Sequence, residues 1–343
     1  MTDLALDLHD VDKVYGGVFG RRVHALRGID MRVGRSEIFG LLGPNGAGKS
    51  TLVKILMTVI RPTRAHGTVL GRAVGEKATL ARVGYLPEHH RFPDYLTGRQ
   101  VVEFYGAMAG VGRRDRKQRA SQLLDFVGMA RWADTRVRGY SKGMRQRVGI
   151  AQTLVNKPDL VIWDEPTDGV DPVGRRDIRE MSLELKRQGT AVMLNSHLLS
   201  ELEMVCDRVA ILVQGRVSSQ GTIDELTVHR QGYEIEVGSQ DSNIDTEIRS
   251  ALSAWLRPGD LAGTLPGGER LNVNLGTAHS PAQLKVNSAD ASVVQPLLDA
   301  LRAARLTIRV VKPIRPSLED LFLEAVTDPL TGQTLAPGAK EGA

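Results

Sequence analysis

Nine consecutive residues have the types and spacing of a phosphate-binding loop. They are Gly43, Pro44, Asn45, Gly46, Ala47, Gly48, Lys49, Ser50 and Thr51. Glycines let successive backbone N–H groups converge on a phosphate, because no Cβ blocks the approach. The lysine can contact β- and γ-phosphate oxygens, the serine hydroxyl can ligate Mg²⁺, and a helix that begins at the lysine adds a dipole that favours anions. The segment therefore predicts a site for nucleotide phosphates.

Two carboxylates, Asp164 and Glu165, follow an apolar run at residues 160–163. A carboxylate at the end of a strand can join a Mg²⁺ shell, and the next one can act as a general base on the attacking water. His197 follows another apolar run, at residues 191–194, where ligand-facing residues of parallel sheets lie. Taken alone, a pair of acidic residues after a strand is most often a solvated pair, and a single histidine is most often a core or surface residue. The phosphate loop in the same chain favours catalysis.

The elements that must position these residues form an α/β pattern. Short apolar runs predict buried strands at residues 37–42, 160–163, 191–194 and 208–213. Helices are predicted at residues 49–59, 96–109, 113–127, 142–155, 174–187 and 200–206. Buried strands that alternate with helices are typical of a mostly parallel sheet.

The pattern changes after about residue 227. Strands are predicted at residues 233–237, 283–286 and 306–311, with a helix at 293–304 that holds Pro296 in its first turn, and residues 261–281 predict a loop or loose hairpin around LNVNL. The chain is therefore expected to have a phosphate-binding α/β domain at residues 3–229, a small α+β accessory domain at 230–326 and a flexible tail at 327–343.

The order of further motifs resembles that of ATP-binding cassette (ABC) ATPases. The segment YSKGM, residues 140–144, stands before the helix that precedes the acidic strand, where the family has its signature motif LSGGQ. Asp171 in GVDP matches the family's D-loop, NSH at residues 195–197 matches its switch histidine, and Tyr15 matches its adenine-stacking aromatic residue. The resemblance is strong over residues 3–226 and loose over 230–325.

The resemblance implies a P-loop NTPase fold: a RecA-like, mostly parallel sheet with an antiparallel β part and a helical signature subdomain. It implies ATP and Mg²⁺ as ligands, with Lys49, Glu165 and His197 as catalytic residues. Metal contacts are implied for Ser50, Asp164 and Glu88. The implied ATP contacts are those of Tyr15, residues 43–51, Glu88, Ser141, Gly143 and Asp171.

Departures from the family pattern point to one branch. Glu88 stands where the family usually has the Gln of its Q-loop, and the signature has Lys142 and Met144 in place of Gly and Gln. An ionised carboxylate cannot donate a hydrogen bond, so Glu88 must contact Mg²⁺ and water differently from an amide. These departures, and PSLEDLFL at residues 316–323, resemble ABC-2-type exporter ATPases of the daunorubicin-resistance kind.

Composition is consistent with a folded protein in a reducing compartment. Hydrophobic residues make up 41% and charged residues 25% of the 343, and Cys206 is the single cysteine. No run approaches the roughly 20 apolar residues that span a bilayer, and the start of the chain does not resemble a signal peptide. Residues 230–343 carry 11 basic and 14 acidic residues, so the basic surplus behind the net charge of +5 lies in residues 1–229.

The resemblance also implies partners. We expect a separately encoded polytopic membrane subunit of the ABC-2 permease type, a second ATPase subunit in a head-to-tail dimer, and no nucleic acid. The chain would then be cytoplasmic and peripheral on the inner face of the cell membrane, and would power export of a drug, lipid or polymer. A cassette ATPase acting on ribosomes or DNA, and an importer ATPase, are the alternatives.

Overall fold

The computed structural model describes residues 4–16, 22–227, 231–238, 244–256, 261–265, 268–275, 281–288, 290–327 and 335. The chain divides into two compact units, one of Met1–Ile223 with Phe322–Ala343 and one of Asp224–Leu321. The flexible tail predicted at residues 327–343 lies outside the described residues, apart from Thr327 and Leu335.

Within the described residues, the first unit contains ten strands and six complete α-helices, and two further helices, the seventh and the last of the chain, lie across the division. The strands are β1 Leu4–Gly16, β2 Arg22–Gly34, β3 Ile38–Leu42, β4 Arg64–Val69, β5 Arg72–Ala73, β6 Val83–Leu86, β7 Leu160–Asp164, β8 Ala191–Asn195, β9 Arg208–Val213 and β10 Arg216–Gly221. The helices are α1 Lys49–Leu56, α2 Gly98–Met108, α3 Arg113–Phe126, α4 Lys142–Thr153, α5 Pro172–Arg187, α6 Leu199–Glu203 and α7 Ile223–Thr227, where α7 crosses into the second unit. Short 3₁₀ turns occupy Lys77–Arg82, Ala130–Trp132 and Val137–Gly139.

Six strands form the central sheet in the order β10-β9-β3-β8-β7-β6. All neighbours are parallel except β9 and β10, which are antiparallel. All five residues of β3, β7 and β8 are buried, as expected for strands with both faces covered. The predicted strands and the mostly parallel sheet are therefore confirmed.

A second, antiparallel sheet has the order β2-β1-β4-β5. Apolar side chains from β1 and β2 join those of β3 and α1 in one core, with Leu6, Ile29, Phe39 and Leu52 among its fully buried members. This core fixes β3 and α1, and therefore fixes both ends of the phosphate loop between them.

The predicted helices are present but several end earlier than predicted. Helix α1 ends at Leu56 rather than residue 59, because Thr58 adopts a left-handed φ of 56°. Helix α4 ends at Thr153, and α6 covers Leu199–Glu203 instead of residues 200–206. Helix α5 begins two residues early, at Pro172, where Asp171 caps it.

The second unit is a five-stranded antiparallel sheet with the order β12-β13-β14-β11-β15. Its elements are β11 Gly232–Gly238, α8 Ile244–Ala251, β12 Ala262–Thr264, β13 Arg270–Asn274, β14 Ala282–Val286, a 3₁₀ turn at Ala291–Val294, α9 Gln295–Ala303 and β15 Thr307–Ile314. Pro296 lies in the first turn of α9, as predicted. The stretch around LNVNL is a hairpin of β12 and β13, and α8 was not predicted.

The last described helix, α10 Leu318–Val326, begins with a side-chain cap. Ser317 Oγ accepts from the Asp320 N–H at 3.2 Å, and the Asp320 carboxylate accepts from the Ser317 N–H at 2.8 Å. The exchange satisfies two backbone donors at the helix start, as in a capping box. Ser317 is therefore the N-cap of α10.

Candidate functional site

The phosphate loop connects the end of β3 to the start of α1. Gly46 and Gly48 have φ angles of 82° and 110°, which L-residues with a side chain rarely adopt. A Cβ on Gly48 would lie 2.7 Å from Ala25 O and 2.7 Å from Leu26 Cδ2. Glycine at this position therefore allows both the turn and its close packing on β2.

Lys49 bends back over the loop that precedes it. Its Nζ donates to the carbonyl oxygens of Gly43 at 2.5 Å and Pro44 at 3.2 Å. Burial lowers the pKa of Lys49, and the carboxylates of Glu165, Asp164 and Glu88 act in the opposite direction. The ammonium group thus lies among backbone carbonyls and within the electrostatic influence of three carboxylates.

Asp164 and Asn195 face each other at the carboxyl ends of neighbouring strands. The parallel register of β7 and β8 pairs them, and Asn195 Nδ2 donates to Asp164 Oδ1. Both side chains are buried, and burial raises the pKa of Asp164, while the bond from Asn195 opposes the rise. Asn195 Oδ1 is buried with no hydrogen-bond partner among the described residues.

Glu165 contacts the residues that follow β8. Its N–H donates to Asn195 O at 2.8 Å, and its φ of 52° turns the chain out of the sheet. The distance from Glu165 Oε2 to His197 Nδ1 is 2.7 Å, and Ser196 Oγ lies 3.4 Å from the same oxygen. Burial raises the pKa of Glu165, and the charge and hydrogen bond of His197 oppose the rise.

The signature segment forms the start of α4. Ser141 is the N-cap and accepts from the Met144 N–H at 3.2 Å, while Gly143 lies within the first turn of the helix. Lys142 Nζ lies 2.6 Å from Asp168 Oδ2. One turn further along, the buried Gln146 donates to Glu165 O at 3.2 Å.

The remaining predicted residues occupy more exposed positions. Tyr15 lies near the end of β1 with Lys13 Nζ 4.8 Å from its ring centre. The Glu88 carboxylate is half exposed, and its charge raises the pKa of Asp164. The Asp171 carboxylate caps α5, where it accepts from the Gly174 N–H at 2.7 Å. Ser50 is exposed on the first turn of α1.

Comparisons with known proteins identify the family to which the chain belongs. The ABC transporter family model matches residues 26–168. The chain is 35% identical to the Nod factor export ATP-binding protein I of Rhizobium, over 98% of this chain and 99% of that protein. It is 33% identical to the daunorubicin resistance ATP-binding protein DrrA3 of Streptomyces coeruleorubidus, over 87% of this chain and 95% of that protein. The chain belongs to the ABC transporter ATP-binding proteins.

A solved ATP-binding subunit of an ABC transporter has the same fold. Its TM-score is 0.58 at 28% identity, over 65% of this chain and 91% of that one. The predicted ABC ATPase fold and the resemblance to the daunorubicin-resistance branch are confirmed, and the chain is an ATP-binding ATPase. None of its described helices is long and apolar enough to cross a bilayer.

Three residues of this candidate site were missed in the sequence analysis. Asn195 was noted only as part of the histidine motif, yet its amide holds Asp164. Gln146 contacts the backbone of Glu165 and Asp168 contacts Lys142 of the signature turn, but the two residues lie 19 and 26 positions from these partners. The one available signal was Gln146, a polar residue on the apolar face of the predicted helix.

Proposed function

We propose that this chain is the ATP-hydrolysing subunit of an ABC-2-type exporter and powers outward transport of a drug, lipid or polymer. Relatives named for Nod factor export and daunorubicin resistance align along nearly their whole length, which supports export over import. The observation that carries the hydrolytic part is the Glu165 carboxylate, held by His197 beside Asp164 and Lys49.

The carboxylate and hydroxyl oxygens of the candidate site are ligands that suit Mg²⁺. This ion binds through one or two carboxylates and the substrate phosphates and keeps several waters, so a cage of protein ligands is unnecessary. Ser50 and Asp164 would hold it, and Glu88, whose charge acts on Asp164, would contact the ion or its water. The unpartnered, buried Asn195 Oδ1 is an acceptor suited to such a water. When bound, the ion neutralises charge on the β- and γ-phosphates.

The side chains of one subunit then have separate tasks. Lys49 leaves the carbonyls of Gly43 and Pro44 to contact the β- and γ-phosphates, whose negative charge it neutralises better than neutral carbonyls do. Glu165 orients the attacking water and accepts its proton. His197 fixes the Glu165 carboxylate and contacts the γ-phosphate. Tyr15 stacks on adenine.

The complete site requires two subunits. Ser141 and Gly143 would contact the γ-phosphate bound to the partner subunit in a head-to-tail dimer, and Asp171 would link the two sites. The Ser141 hydroxyl accepts from the Met144 N–H, and the other N–H groups in the first turn of α4 suit an anion. Binding of ATP closes such a dimer, and hydrolysis reopens it.

The chain would bind a separate membrane subunit at the inner face of the cell membrane. Tyr95, Phe104 and Met108 are 72%, 51% and 70% exposed. Exposed large apolar side chains mark a protein-binding surface when they lie together, and these three lie on α2 or just before it. This segment follows Glu88, where the family receives its membrane partner.

The first test uses Glu165→Gln, which removes the proposed base and keeps the size of the side chain. We expect hydrolysis to fall by about 10²- to 10⁴-fold while ATP binding is retained. With Mg-ATP, the tagged variant should form a dimer and co-purify with a polytopic membrane protein in near-equal amount.

The matched control is Glu76→Gln, which neutralises a half-exposed carboxylate paired with Arg72. It should hydrolyse ATP at the wild-type rate. Unchanged turnover of Glu165→Gln would contradict the proposed base. Recovery of ribosomal proteins or DNA without a membrane protein would contradict the exporter proposal.

A further inference from the structure

Two side chains of helix α4 contact the short segment that carries the catalytic carboxylate. At the first turn, Lys142 Nζ lies 2.6 Å from Asp168 Oδ2. One turn later, the Gln146 amide donates to Glu165 O at 3.2 Å. The segment 165–168 is therefore joined to α4 at both of its ends.

Lys142 lies at a place that disfavours a cation. The first turn of a helix carries the positive end of its dipole, so a lysine there is destabilised unless an anion is close. Asp168 supplies that anion, and Lys142 lowers the pKa of Asp168, with smaller contributions from His197 and His89.

The stem of Lys142 also packs on the backbone that leads to Asp171. Gly169 has a φ of 66°, and a Cβ there would lie 2.3 Å from Lys142 Cδ. The side chain of Lys142 thus passes over Gly169, and its ammonium group contacts the carboxylate of the preceding residue, Asp168. The contact is both steric and ionic, which fixes its geometry better than an exposed pair alone.

Gln146 makes the second contact in a buried setting. Its side chain is 4% exposed, and loss of a buried hydrogen bond leaves a polar group without a partner. Since Glu165 O belongs to the residue whose carboxylate is the proposed base, movement of α4 must shift that carboxylate or break this bond.

We propose that Lys142 and Asp168 are a positioning pair that, together with Gln146, makes the signature turn and the segment 165–168 move as one body. The proposal rests on the proposed function, in which the signature turn contacts ATP bound to the partner subunit. Occupation of the partner's site then places Glu165 in this subunit's own site. The pair couples hydrolysis at the two sites without touching the nucleotide of its own subunit.

The test is a double-mutant cycle on the full chain with Lys142→Met and Asp168→Asn. An exposed ion pair contributes up to about 1 kcal/mol, so each single variant should lower kcat by no more than about fivefold. Each should also lower the Hill coefficient for ATP, and the double variant should be no worse than either single one. The affinity for Mg-ATP, measured with each change added to Glu165→Gln, should not change.

The control is Asp134→Asn, which breaks the Arg99–Asp134 pair outside the segment. It should leave kcat and the Hill coefficient unchanged. The exchange Lys142→Asp with Asp168→Lys should recover at least half of the wild-type kcat. Raising NaCl from 0.05 to 0.5 M, roughly a threefold shorter screening length, should lower the Hill coefficient of the wild type and leave Asp168→Asn unaffected.

Additive single effects, an unchanged Hill coefficient in both single variants, or no rescue by the exchange would overturn the proposal. These results are distinguishable from failure of the proposed function. If one of these results is obtained while the wild type hydrolyses ATP and Glu165→Gln does not, the proposed role of Glu165 as base is supported and the proposed positioning pair is refuted.

Discussion

At the scale of single residues, the proposed base must satisfy two opposing demands. Glu165 must be ionised to accept a proton from water, yet burial raises its pKa. Burial is also useful, because charges act more strongly where water is excluded. His197 resolves the conflict, since its charge and its hydrogen bond at 2.7 Å favour the ionised carboxylate.

Removal of His197 should therefore shift the pH dependence of hydrolysis in a defined direction. In His197→Ala the pKa of Glu165 loses its main lowering influence and rises further. A base works only above its pKa, so the acid limb of the kcat profile should move to higher pH. The measurement is kcat at saturating Mg-ATP between pH 5 and 9.

The control for this prediction is His66→Ala, which removes an exposed histidine of β4. Its acid limb should coincide with that of the wild type. An acid limb that moves to lower pH in His197→Ala, or does not move, would refute the assigned role of the histidine.

At the scale of elements, sequence patterns predicted strands and helices that follow from the local order of residues, and they missed contacts between residues far apart in the chain. β7 and β8 are continuous apolar runs that end in polar residues, so the sequence predicts both their burial and their order along the chain. No strand is predicted where β1 and β2 lie, because shifts of register break their alternation, and Asp10 has a φ of 50°. The contact of Gln146 with Glu165 depends on tertiary structure, and its only local signal is a polar residue on the apolar face of a predicted helix.

Helix α2 offers a test of one element by itself. Thr97 Oγ1 accepts from the Gln100 N–H at 3.2 Å, and Gln100 Oε1 accepts from the Thr97 N–H at 2.9 Å. Thr97→Ala removes this capping box and should lower the free energy of unfolding by about 1 kcal/mol. Urea denaturation measures the loss.

Thr97→Ser keeps the hydroxyl and is the matched control, so its loss should be less than half of that in Thr97→Ala. Equal losses in the two variants would mean that the threonine methyl group, and not the cap, stabilises the start of α2.

At the scale of the whole molecule, the candidate site residues all lie in the first unit. The second unit has its own core, in which Ile235, Leu271, Leu284 and Leu297 are fully buried. A unit with its own core can unfold separately from its neighbour. We therefore propose that the division at about residue 224 is a domain boundary in the thermodynamic sense.

Leu284→Ala tests this boundary. Its side chain is fully buried in β14, and the truncation should destabilise the second unit by about 2–5 kcal/mol. If the units unfold separately, calorimetry should show one transition lowered and another unchanged. The ATPase activity at 25 °C should stay within about twofold of the wild type, because no candidate catalytic residue is in the second unit.

Ile162→Ala makes a comparable truncation in β7, close to the acidic pair. Its effects on the two calorimetric transitions and on ATPase activity should be the reverse of those of Leu284→Ala. It should lower the other transition and reduce ATPase activity, since Ile162 is buried in the strand that ends at Asp164, and a cavity there loosens the position of the acidic pair. A single transition lowered by both variants, with activity lost in both, would mean that the two cores unfold as one cooperative body.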